Sequence, residues 1–164
     1  MDLEDFFRSL EVHKIRYLLC GGLAVNIYGI PRSTADVDIL LDFNQTNVDS
    51  FMTAMNLLSF KGTIPLRFEV LVDLKERERL INERNMIAYS FFNSAKNVFV
   101  LDVLVKMPSP FDALWNSREE RPFGKTVIQL ISVDDLIKMK EATDRIQDKN
   151  DVILLSRLRN ANGN

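Results

Sequence analysis

CGGLAVNIYGIPRSTADVDIL, residues 20–40, ends a hydrophobic run on two glycines, Gly21 and Gly22, and after thirteen intervening residues carries two aspartates, Asp36 and Asp38. IRYLLC, just before the glycines, is short and apolar and reads as a strand. LAVNIYG reads as a short helix that stops at Gly29, and Pro31 prevents its continuation. DVDILLDF reads as the second strand. On a strand, residues i and i+2 point the same way, so Asp36 and Asp38 share one face and Val37 and Ile39 the other. Two like charges at that distance repel, and each raises the other's pKa. The nearest basic residue in the sequence is Arg32. A divalent cation is the simpler compensation, because Mg²⁺ takes one or two carboxylates plus substrate phosphates. On its own, Asp-x-Asp also fits a solvated strand end.

Asp102 adds a third carboxylate. It lies in NVFVLDVLVK (residues 97–106), apolar apart from its ends and Asp102 itself. An ionised carboxylate buried without a partner is costly. Either this is an edge strand with Asp102 in water, or the strand lies beside the Asp36/Asp38 strand and three carboxylates converge. Converging carboxylates suit two metals that clamp both oxygens of an in-line phosphoryl displacement. The third is then placed to help deprotonate an attacking hydroxyl. The glycines complement this arrangement. They let backbone approach a ligand, and the helix after them offers unpaired N–H groups and the positive end of its dipole, which favour phosphate.

Bulk properties narrow the class. The chain has 164 residues with a formal net charge of -2, and 46% of its residues are hydrophobic. That length fits one domain spanning 1–164, with a core over about 1–107 and a C-terminal helical part over about 132–160. The charge argues against gripping nucleic acid by charge alone. The apolar runs are too short to span a bilayer, and the acidic start MDLEDFFRSL lacks the pattern of a signal peptide, so a cytoplasmic protein without a membrane is expected. A lone Cys20 cannot form an internal disulfide and reads as a core residue. His13, in a polar stretch before a strand, is a weak candidate for catalysis.

Elsewhere, residues 2–10 and 47–58 have helical apolar spacing, and VDLKERERLINERNM (72–86) reads as an exposed helix. IAYSFFN and NVFVLDVLVK, joined by the turn-like NSAKN, suggest an antiparallel hairpin. TVIQLI is a further strand. Ser132, followed by Asp134 and Asp135, caps a helix over DDLIKMKEATDR. KNDVILLSRLRN is a last helix with Val152, Leu155 and Leu158 on one stripe, before a polar, frayed tail, RNANGN. The fold class is α+β (α/β), a small mixed sheet covered by helices.

The order hydrophobic–Gly–Gly, spacer, Asp–Val–Asp–Ile, with a later strand aspartate, resembles the signature of the nucleotidyltransferase superfamily of polymerase-β-like fold. The longer string GGLAVNIYGIPRSTADVDILL is similar to the bacterial branch that includes AbiEii-like abortive-infection toxins. ISVDDLIKMKEATDRIQDKNDVILL is similar to that branch's C-terminal helices, with Lys140, Arg145, Asp148 and Asp151 in the matching places. The resemblance implies that Gly21 and Gly22 contact nucleotide phosphates and that Asp36, Asp38 and Asp102 form the catalytic, metal-binding set for Mg²⁺ or Mn²⁺. Arg32 and Thr34 then either contact phosphate or belong to an ordinary polar turn. Lys140 either reaches a phosphate or is a helix-surface lysine. Arg145 and Asp148 pair to fix the C-terminal helices. Many members carry serine where this chain has Gly22, although the branch commonly has glycine.

The implied activity is transfer of a nucleoside monophosphate from an NTP such as ATP to an acceptor hydroxyl on RNA, protein or a small molecule. The branch adds the expectation of a toxin–antitoxin pair, hence an antitoxin protein partner. The alternative is a degenerate nucleotide-binding or protein-interaction module without turnover, against which the presence of all three carboxylates speaks.

Overall fold

The computed structural model describes residues 2–95 and 99–162. Helix α1 (Leu3–Val12) starts where the Asp2 side chain accepts the Asp5 N–H, and it buries Phe6, Phe7 and Leu10 on one face. Strand β1 (Tyr17–Cys20) is buried at all four residues. Helix α2 (Gly21–Ile27) follows it with no intervening loop. Strand β2 (Asp36–Leu41) leads to α3 (Gln45–Leu57), which the Asn44 side chain caps. Strand β3 (Phe60–Gly62) and a 3₁₀ turn (Phe68–Val72) precede α4 (Leu74–Arg84), capped by Asp73. Strands β4 (Ala88–Asn93) and β5 (Val100–Leu104) follow. The chain continues with α5 (Phe111–Asn116), β6 (Glu119–Phe123), β7 (Thr126–Leu130), α6 (Val133–Glu141) and α7 (Ile146–Asn162).

Among the described residues, seven strands form one mixed sheet in the order β3-β4-β5-β2-β1-β7-β6. β1 and β2 are antiparallel, whereas β2 with β5 and β1 with β7 are parallel. The expected hairpin of IAYSFFN and NVFVLDVLVK is present as the antiparallel β4–β5 pair. Part of its NSAKN turn, residues 96–97, lies outside the described residues. β5 is an inner strand between β4 and β2, so the edge-strand explanation for Asp102 is excluded.

Several elements differ from expectation. The two outermost strands, β3 and β6, do not stand out in the sequence; β6 reads EERPF, and its proline is tolerable because an edge strand pairs on one side only. Helix α5 has six residues, too few to show a period. Helix α2 starts at Gly21 and closes at a Tyr28 C-cap, so the glycines are its first turn rather than a linker before it. The sixth helix ends at Glu141 with an Ala142 cap, short of the expected Arg145. The segment 159–162, expected to fray, continues α7; residues 163–164 lie outside the described residues. Among the described residues, no helix is long and apolar enough to cross a membrane.

An aromatic cluster locks the helical layer to the β4–β5 side. Phe68, from the 3₁₀ turn, packs its ring within 5.1–6.1 Å of the rings of Tyr89, Phe91, Phe51 and Phe43. Such pairs stabilise beyond their buried area. Phe68→Ala is expected to lower unfolding free energy by about 3–5 kcal/mol in urea titration, although the turn itself carries no regular hydrogen-bonded strand or α-helix.

Candidate active site

The sheet register builds the site. Cys20 of β1 lies opposite Asp38 of β2, Asp38 lies beside Asp102 of β5, and Asp102 lies opposite Ser90 of β4. Laterally paired residues share a face, so one row runs Cys20–Asp38–Asp102–Ser90 across four strands. Asp36, two residues before Asp38, joins that face at the exposed end of β2, while Val37 and Ile39 are buried on the other. The three carboxylates predicted from sequence are therefore brought to one face. Sequence reasoning missed Ser90, whose Oγ donates a 2.5 Å hydrogen bond to Asp102 Oδ1. A serine within a strand carries no signal until the register is known.

The glycine turn closes over this row. Gly21 has φ +65°, and a Cβ there would collide with the Asp38 carboxylate. The Gly22 backbone amide lies close enough to Asp38 to favour its charged form. A Cβ on Gly22 would stand 2.7 Å from Thr34 Oγ1 and 3.0 Å from Arg32 Cζ. The space a serine side chain would need at position 22 is thus already taken by Thr34 and Arg32. Gly21, Gly22, Thr34 and Asp38 form one contiguous wall, with Arg32 behind it.

Electrostatics single out Asp38. Burial, then the negative charges of Asp102 and Asp36, push its carboxyl up to about 6, against smaller opposing effects from the Gly22 N–H and Lys140. Burial, and then Asp38, push the Cys20 thiol well above its ordinary value, so Cys20 stays an uncharged core residue. His13 ends α1, and its Nδ1 bonds the Ser9 carbonyl at 2.8 Å.

The donor set suits a hard cation: carboxylate oxygens on one face whose mutual repulsion no ion pair among the described residues balances. As the side chains stand, however, no three His, Cys, Asp or Glu groups among the described residues close on a common point. Asp38 is held by the glycine turn and Asp102 by Ser90. The fit therefore lies in donor chemistry and register.

Behind the wall lies a buried charge network. Lys140 Nζ sits 3.0 Å from Asp148 Oδ1 and 2.7 Å from Asp151 Oδ2. It is 5% exposed, so Lys140 is no helix-surface lysine. Asp151 Oδ2 also takes Arg32 Nη1 at 2.6 Å. Arg145 pairs with Asp148 at 2.6 Å, as expected, at the start of α7. Burial pushes the Asp148 carboxyl up, but hydrogen bonds from Thr143, Lys140 and Arg145 outweigh it and hold the group down at about 2. Among the described residues, every buried side-chain nitrogen and oxygen has a partner. A cleft of about 700 Å³ opens at Thr34 and Asp36, with Leu23, Phe99 and Phe123 in its walls.

No family model matches the chain. No curated protein matches it. Solved structures do match in fold. The lincosamide antibiotic adenylyltransferase LnuA, lincomycin-bound, superposes with TM-score 0.60 at 14% identity, covering 95% of each chain. ANT(2'')-Ia in complex with adenylyl-2''-tobramycin gives TM-score 0.57 at 9% identity over 97% of this chain and 93% of that one. An antigenic nucleotidyltransferase-like protein from Paracoccidioides brasiliensis gives 0.59 at 16% identity over 95% and 74%. The chain has the nucleotidyltransferase fold.

Gly21→Ala is expected to cost stability on two grounds, the left-handed backbone and the collision with Asp38, by about 1–3 kcal/mol in urea titration. Asp38 also sets a pH dependence. Its folded pKa is raised, so the native state binds more protons than the unfolded chain between about pH 4 and 6, and stability falls as pH rises through that window. In metal-free buffer the loss from pH 4.5 to 7 is expected to be on the order of 2 kcal/mol. Asp38→Asn should flatten it. Asp148 acts in the opposite direction, its contribution being lost only below about pH 4.

Proposed function

We propose that this protein is a metal-dependent nucleotidyltransferase that moves a nucleoside monophosphate from an NTP to a hydroxyl of a small-molecule acceptor. The observation that carries the reading is the lateral pair Asp38–Asp102 beside a Gly–Gly turn against which the Asp38 carboxylate can lie only because Gly21 has no Cβ. A divalent cation, when bound by Asp36, Asp38 and Asp102, would neutralise phosphate oxygens and lower the pKa of the acceptor hydroxyl. The residues of the chain do the rest. The first turn of α2 presents backbone N–H groups, and Thr34 and Arg32 flank it, together forming a cradle for the phosphates. Ser90 fixes one oxygen of Asp102, leaving the other to take the acceptor proton. The acceptor oxygen bonds to the α-phosphorus, the bond to the departing pyrophosphate breaks, and the proton passes to Asp102 or to solvent. Asp36, being exposed, stands at the mouth of the cleft where an acceptor enters.

Two considerations favour a small acceptor. The net charge of -2 disfavours a polyanionic partner. The lincosamide adenylyltransferase and the adenylyl-tobramycin complex are fold neighbours in which the partner is a small molecule. The toxin reading, with an antitoxin and an RNA or protein acceptor, rests on the sequence strings alone. The whole-site alternative, a binding module without turnover, predicts nucleotide affinity with no pyrophosphate release.

Incubation with labelled NTPs and Mg²⁺, with hydroxyl-bearing antibiotics, cellular RNA and protein as separate acceptors, tests these readings together. Label is expected in a small molecule with stoichiometric pyrophosphate. Asp36→Ala/Asp38→Ala should reduce transfer at least about 100-fold. Wild-type protein that neither binds an NTP with Mg²⁺ nor transfers label would sink the proposal. Label in RNA, with growth arrest that the same double substitution relieves, would move the acceptor to the toxin reading.

A further inference from the structure

Resting on that reading, we infer that Asp151, on the C-terminal helix α7, is a positioning residue of the phosphate cradle: it fixes the Arg32 guanidinium against Gly22, and so makes α7 part of the nucleotide site. Arg32 lies between α2 and β2, in a segment without regular structure, where an arginine would ordinarily sample many rotamers. Here it is held at three points. Its backbone N–H donates to Asn26 Oδ1 at 2.8 Å, Nε to the Ser33 carbonyl at 3.4 Å, and Nη1 to Asp151 Oδ2 at 2.6 Å. Of these, only the bond to Asp151 is an ion pair, and it is nearly dry, the two side chains being 17% and 5% exposed. The result places Cζ 3.0 Å from the position a Cβ on Gly22 would take, at the first turn of α2. Among the described residues Nη2 has no acceptor, so one face of the fork is left to bind an oxygen.

A purely structural account of Asp151 is weaker. Buried ion pairs are poor sources of stability, and apolar residues would hold α7 as well. Lys140 already has Asp148 as a carboxylate partner, whereas Arg32 has Asp151 alone among the described residues. In the buried part of the network Arg32 and Lys140 face Asp148 and Asp151, while Arg145 adds a cation at the surface. An anion arriving at the Gly22 turn meets Arg32 as the nearest cation of that network.

The test is titration calorimetry with ATP and MgCl₂, with melting temperature measured on every variant. Asp151→Asn and Arg32→Gln are each expected to weaken ATP binding about tenfold. The double variant, which leaves no orphaned charge, should bind as Arg32→Gln does, because Asp151 acts through Arg32. Thr143→Val, which removes a 2.6 Å bond to Asp148 in the same network, should lower the melting temperature without weakening ATP binding. In transfer assays the loss should appear in KM for the NTP, with kcat within about threefold. A double variant weaker than Arg32→Gln, or an Asp151→Asn that binds ATP like the wild type, overturns this inference and leaves the nucleotidyltransferase reading standing. A wild type that binds no NTP overturns both.

Discussion

A carboxylate occupies the place where residue 21 would carry a Cβ, and the rest of the site is arranged around that contact. Asp38 can lie against the turn only because Gly21 has no side chain and takes a left-handed φ. The contact joins the end of β1 to the start of β2, two antiparallel neighbours at the centre of the sheet. It lets α2 begin at the glycines themselves, with its first N–H groups over the carboxylate row. A side chain at either glycine would push the turn off Asp38 or off Thr34.

The site is electrostatically lopsided, and the two halves explain each other. On the sheet face, three carboxylates gather with no paired cation among the described residues, and Asp38 is held largely protonated below about pH 6. Behind the turn, two cations, Lys140 and Arg32, are buried with Asp148 and Asp151 in a network that ends against Gly22. Lys140 is close enough to lower the Asp38 pKa, yet not its hydrogen-bond partner. The protein thus keeps opposite charges near one another without letting them pair. That separation is what a site needs if a metal–triphosphate is to bridge them, with metal on the carboxylates and phosphate on the turn.

The parts legible in sequence share one property: they are local. Gly21, Gly22, Asp36 and Asp38 fall within one strand–helix–strand unit, and the period-two rule puts both aspartates on one face without knowledge of any partner strand. The β4–β5 hairpin, the Ser132 cap and the Arg145–Asp148 pair are likewise short-range. The elements that escaped notice are those whose character depends on a distant partner. β3 and β6 are the sheet's edges, hydrogen-bonded on one side and free to be polar, so they lack a strand pattern. Ser90 matters only because β4 pairs with β5 in one register, and a one-residue slip would turn it away from Asp102.

The sequence by itself determined that a glycine turn and two same-face carboxylates lie within one short unit, because that follows from backbone geometry alone. Only the tertiary structure decided that β5 is an inner strand, that Asp102 stands beside Asp38, and that Lys140 is buried between Asp148 and Asp151. Those facts depend on which strands pair and which helices pack. That choice is made by burial of the whole apolar surface at once and has no signature in any short stretch of chain.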